Sequence, residues 1–119
     1  RAGVLNYSPV GEQADALREM IATARQAGAQ PVLVAMPLSD QYYTNFDHPA
    51  DYQEYRAALQ QLADEQHTPL WDMEALTGGD QFGDSEFGDL NHLNRIGAER
   101  LSGLLAQDYA ALAAAQGLP

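Results

Sequence analysis

In the stretch GDSEFGDLNH, residues 83–92, a carboxylate at Asp89 stands three positions before an imidazole at His92. On a turn, that spacing lets the carboxylate reach Nδ1–H, which fixes the tautomer and leaves Nε2 to take a proton from a hydroxyl. The pair then works as a general base with its orienting partner. The same decapeptide contains Gly83-Asp84-Ser85, so a hydroxyl, a carboxylate and an imidazole crowd into one short segment. Two common residues at a short spacing also meet by chance, and a surface histidine beside an aspartate is commonly a solvated ion pair. Spacing alone leaves both readings open.

Other residue types suggest less. Tyr42, Tyr43 and Asn45 follow the first apolar run and are candidates to line a substrate cleft; equally, the tyrosines can pack over a sheet edge. His48 and His67 have no second ligand at helical or hairpin spacing, so loop and helix-end roles are expected of them. Asp80, Asp84, Glu86 and Asp89 supply hard oxygens suited to calcium. An EF-hand spacing fails, because Leu93 stands where the fifth-position ligand should be. No metal and no cofactor is expected.

These residues must be positioned by regular elements. From Ala14 to Ala27, the apolar residues Leu17, Met20, Ile21 and Ala24 recur at i, i+3, i+4 and i+7, the spacing of one helix face, and Gly28 is placed to end it. PVLVAMP is a short Val-rich run without polar alternation, as expected of a strand buried on both sides in a parallel sheet. Residues 37–50 break the periodicity, and Tyr52, Tyr55, Leu59 and Leu62 restore a helical face over 51–66, with Asp51 and Glu54 spaced as a capping box. TPLWDM reads as a second strand, with Trp71 and Met73 in the core. Residues 74–91 form a long Gly- and Asp-rich loop, and Asn94 is placed to cap a last helix whose inner side carries Ile96, Leu101, Leu104, Leu105 and Leu112. Alternation of this kind implies right-handed crossovers and parallel strands covered by helices, an α/β fold. Only two strands are evident; VLNYS near the start is a candidate third, and lost neighbours are the favoured alternative.

The whole chain, 119 residues with 45% hydrophobic content, suits one domain over residues 1–119 with one core. Seventeen acidic against six basic residues give a charge of −11, which repels nucleic acid and anionic membrane surfaces. Without cysteine, disulfides and thiolate metal sites are excluded. No apolar run approaches the ~18–20 residues of a transmembrane helix. The opening RAGVLNYSPVG reads like the middle of a protein, so the chain is expected to be the C-terminal part of a longer one, with any membrane anchor upstream.

The string D-L-N-H-L-N-R-I-G-A-E-R-L-S, residues 89–102, resembles the final motif block of the SGNH (GDSL-type) hydrolases, in which an Asp and a His three apart precede a helix. The likeness extends backward through VLVAMPLS, QYYTNF, YQEYRAAL and the strand ending in W-D-M, and covers the chain from about Ala14 onward. It is similar in particular to the branch containing the D-alanyl transfer protein of teichoic acids and polysaccharide O-acetyltransferases. The resemblance implies the C-terminal half of a flavodoxin-like, three-layer fold. It also implies that His92 acts as general base and then general acid, that Asp89 orients it, and that an acyl-serine intermediate forms. The implied partner is an acylated carbohydrate or cell-envelope polymer outside the cytoplasm, and the acidic charge favours a neutral polysaccharide. In the family, the Gly-Asp-Ser motif ends the first strand, far ahead of the Asp–His block. Gly83-Asp84-Ser85 instead leads into Glu86, Phe87 and Gly88, so Ser85 is not the expected nucleophile; that group and most of the oxyanion hole are expected upstream of Arg1. The alternative is a non-catalytic carbohydrate-binding or protein-interaction module that keeps the fold.

Overall fold

A computed structural model of the chain describes residues 11–44, 49–74, 82–89 and 91–117. It is mixed α/β and mostly helical: α1 (Glu12–Gln26), β1 (Leu33–Ala35), α2 (Asp40–Thr44), α3 (Pro49–Glu65), β2 (Leu70–Asp72), a single 3-10 turn (Asp84–Glu86) and α4 (Arg95–Gln116). β1 and β2 pair in a two-stranded parallel sheet. By Cα proximity the chain divides into two compact units, residues 1–34 with 45–71, and residues 35–44 with 72–119.

In the first unit, Ala14, Ile21 and Leu62 form a buried cluster, with Leu17 and Leu33 packed against it. Each fully buried Ile or Leu contributes about 1.5–3 kcal/mol, so this small group is a large part of what holds α1 to α3. Met20, expected on that inner face, is 67% exposed. The buried line runs Ala14, Leu17, Ile21, and Met20 falls beside it, where α1 turns toward solvent.

Both helices end in the same way. Gly28 takes a left-handed φ of +84°; its N–H donates to Arg25 O and that of Ala29 to Ala24 O, which satisfies the last carbonyls of α1. At the end of α3, His67 takes φ +50° while its N–H donates to Asp64 O and that of Thr68 to Ala63 O. Arg25 joins the two ends by donating to His67 O and Thr68 Oγ1, both at 2.9 Å. α3 begins at Pro49, a favoured first residue because the missing N–H has no helical partner at that position. Asp51 is therefore inside the helix and is not its cap, contrary to the capping-box expectation. Arg18 also spans α1 and α3, with Nε 2.6 Å from Glu65 Oε2.

In the second unit, Ala35 and Met73 are buried, and the Met73 N–H donates to Ala35 O at 2.9 Å. Pro37 and Ser39 are buried just after β1. The segment expected to be irregular after β1 contains α2, whose first turn is capped by Ser39: the Tyr42 N–H donates to Ser39 Oγ at 3.2 Å. Ile96, expected on the inner side of α4, is 62% exposed. The helix is buried instead at Gly97 and Leu101, one step round from Ile96, with Leu104, Leu105 and Leu112 half-buried. Trp71 is half-buried, and VLNYS lies outside the described residues.

Candidate functional site

The approach to α4 is ordered by backbone pairing. Phe87 and Leu93 form an isolated antiparallel bridge: the Gly88 N–H donates to His92 O at 2.7 Å and the Asn94 N–H to Glu86 O at 2.9 Å. The later part of the segment expected to be one long loop is thus a 3-10 turn followed by a closed loop. Asn94 then caps α4 by accepting from the Gly97 N–H (3.0 Å), while its own Nδ2 donates to Ser85 O (2.7 Å). One side chain ends the loop and starts the helix.

Within this loop, Asp89 and His92 meet. His92 Nδ1 lies 2.9 Å from Asp89 Oδ1 and 3.0 Å from Oδ2. Oδ1 also accepts from the N–H groups of Asn91 (3.1 Å) and His92 (2.8 Å), so the carboxylate closes the turn as well as holding the ring. These two amides and the imidazole hold the Asp89 carboxyl below its ordinary pKa, with the Asn91 amide the largest influence. An ionised carboxylate only accepts, so in the neutral ring Nδ1 carries the proton and Nε2 is the basic atom. Among the described residues no hydrogen bond engages Nε2. The side chains are 75% exposed for His92 and 59% for Asp89, so the basic nitrogen is open to an incoming group.

Between the 3-10 turn and α4 lies a contact that neither spacing nor periodicity indicates. Glu86, its side chain only 10% exposed, receives Arg100 Nη1 at 2.6 Å on Oε1 and 2.9 Å on Oε2, and the Gly83 N–H on Oε1 at 2.8 Å. The Arg100 guanidinium carbon lies 5.0 Å from the centroid of the buried Phe82 ring, within cation–π range. Gly97 lets α4 come this close, since a Cβ there would collide with Glu86 O and stand 2.8 Å from Leu93 Cδ2. A glycine in the first turn of an otherwise good helix was the available sequence signal.

Comparisons with protein-family models, curated proteins and solved structures gave no match.

Tyr42 is half-buried on α2; Tyr43 belongs to the same helix, but its side chain lies outside the described residues, as does Asn45 entirely. Ser85 is exposed on the 3-10 turn, and among the described residues no hydrogen bond joins its hydroxyl to His92. Of the oxygens considered for calcium, Asp80 lies outside the described residues, Glu86 is taken by Arg100 and Asp89 by His92. Among the described residues no group of three or more His, Asp or Glu side chains converges as a metal site. Among them also, no helix is long and apolar enough to cross a membrane. His48 is outside the described residues, and His67 is exposed in the turn that follows α3.

Proposed function

We propose that this chain is the C-terminal portion of an SGNH-type serine esterase or O-acyltransferase with a flavodoxin-like fold, acting on acyl groups of a cell-envelope polysaccharide outside the cytoplasm. The observation that carries this reading is an imidazole whose Nδ1 is held by Asp89 while Nε2 is exposed and unengaged, inside the string that resembles the family's Asp–His block. In the proposed reaction, Nε2 of His92 takes the proton of a serine hydroxyl as it attacks the acyl carbonyl. It then returns a proton to the departing alkoxide, leaving an acyl-serine. Water or a sugar hydroxyl then attacks the acyl-serine: Nε2 takes the proton of the incoming hydroxyl as the new bond forms and returns a proton to the departing serine oxygen. Asp89 keeps the ring in the required tautomer throughout and stabilises the imidazolium.

A fluorophosphonate probe tests this, because it labels only a serine activated by a base. The full-length protein is expected to label, His92→Ala to abolish labelling, and Ser85→Ala to leave it intact. Labelling that survives His92→Ala overturns the reading. Labelling lost in Ser85→Ala moves the nucleophile to the 3-10 turn.

A second reading, a non-catalytic carbohydrate-binding or protein-interaction module, draws on the high exposure of both side chains, which is that of an ordinary surface pair. It predicts no labelling in the unaltered full-length protein.

A further inference from the structure

We infer that Glu86 and Arg100 are positioning residues for His92: their ion pair fastens the Asp89–His92 turn to α4 and thereby sets the tautomer of the imidazole. The catalytic consequence rests on the acyl-transfer reading, whereas the effect on the ring does not.

Asp89 holds His92 from within a short turn that is itself mostly exposed, and an exposed Asp–His contact is weak unless its backbone is held for other reasons. The bridge between Phe87 and Leu93 supplies one such reason, but its two strands need an anchor of their own. Glu86 is that anchor. Its carbonyl accepts the Asn94 N–H that closes the bridge, and its carboxylate is fixed from two directions, by the Gly83 N–H and by both contacts of Arg100 Nη1. Arg100 lies on the same side of α4 as Gly97, the residue that presses against Glu86, and its guanidinium rests over Phe82, the residue preceding Gly83. Both ends of the segment from Phe82 to Asn94 are therefore tied to the first two turns of α4, and the Asp89–His92 turn is suspended between the ties.

The buried position of Glu86 gives this clamp its leverage. A carboxylate 10% exposed has little water to fall back on, so loss of Arg100 leaves it to move out to solvent and carry the bridge with it. By contrast Arg95 and Glu99, also on α4, are 91% and 68% exposed, pair with each other and, among the described residues, make no hydrogen bond or ion pair with the loop. They make an internal control of the same chemical type.

The test is the tautomer of His92, read by long-range ¹⁵N–¹H correlation on the full 119-residue chain at a pH where the ring is neutral. In water a free imidazole prefers the proton on Nε2, so a predominant Nδ1–H form reports Asp89 at work. Glu86→Gln and Arg100→Lys keep the size and much of the bonding of the originals, and far-UV circular dichroism checks that α4 is retained. The unaltered chain and Glu99→Gln are expected to show Nδ1–H predominating, and both clamp variants to lose that predominance in favour of Nε2–H. In the full-length protein the same two variants are expected to slow fluorophosphonate labelling by about 10- to 100-fold, the loss that goes with an ångström-scale misplacement of a base. An unchanged tautomer in both folded variants overturns the clamp, even if His92→Ala abolishes labelling. Labelling that survives His92→Ala overturns the acyl-transfer reading, even if the clamp variants change the tautomer. Unfolding of Arg100→Lys alone leaves Glu86→Gln to decide the matter.

Discussion

Oδ1 of Asp89 accepts from two backbone amides and from the His92 ring, and this shared load has a pH consequence. Because the folded-state pKa lies below the ordinary value, the carboxylate supports the turn fully above about pH 3.9 and loses that role as pH falls through the lower, folded value. The Asn91 and His92 amide shifts are expected to titrate together with a midpoint below 3.9; a midpoint at or above it would mean that the amides are not bound to Asp89. Asp89→Asn keeps the shape but offers the ring an amide that can present the wrong hydrogen-bonding face. In the labelling assay it is expected to cost on the order of 10⁴ in rate. The meeting of Asp89 and His92 could be read from their separation, because on a turn a carboxylate three residues before an imidazole comes within its reach. Glu86 could not. Its partner is 14 residues away on another element, and in sequence it looks like one more acid in an acidic loop.

For the elements, the helices were legible from their period and the strands from short apolar runs: β1 and β2 lie within the stretches marked out, α1 and α3 overlap theirs but each begins two residues earlier, and α4 starts directly after Asn94. The misassigned faces, Met20 and Ile96, are apolar residues one position off a buried line, and period counting cannot separate such neighbours without knowing what lies opposite. α2 was missed because five residues give no period, although Ser39 three before Tyr42 is a capping spacing. The start of α4 makes two firm expectations. Asn94→Ala removes both the cap and the bond to Ser85 O and should lower stability by about 1–2 kcal/mol in urea denaturation. Gly97→Ala would gain up to about 1 kcal/mol from helix propensity, yet the new methyl meets Glu86 backbone and Leu93 side chain. A net loss of about 1–3 kcal/mol is expected, and a more stable variant would show that the loop yields easily.

Charge acts over the whole molecule. The net charge of −11, from seventeen acidic against six basic residues, repels itself more in the folded state than in the expanded chain, so salt should stabilise this protein. Its Tm at pH 7 is expected to rise between roughly 0.01 and 0.15 M NaCl, as the screening length falls from about 30 to 8 Å; a fall would mean that pairs such as Arg18–Glu65 outweigh the repulsion. The contrast between near and distant bonds bears on the order of assembly. The fastenings from Phe82 to Arg100 link near neighbours in the chain, whereas the sheet must bring residue 33 to residue 69 and residue 35 to residue 73. Closing a small ring sacrifices less chain entropy than closing a large one. During refolding, the holder of the imidazole should therefore gather before the strands find each other. In pulsed hydrogen exchange, protection at Gly83, Asn94 and Gly97 would then precede protection at Leu33 and Met73.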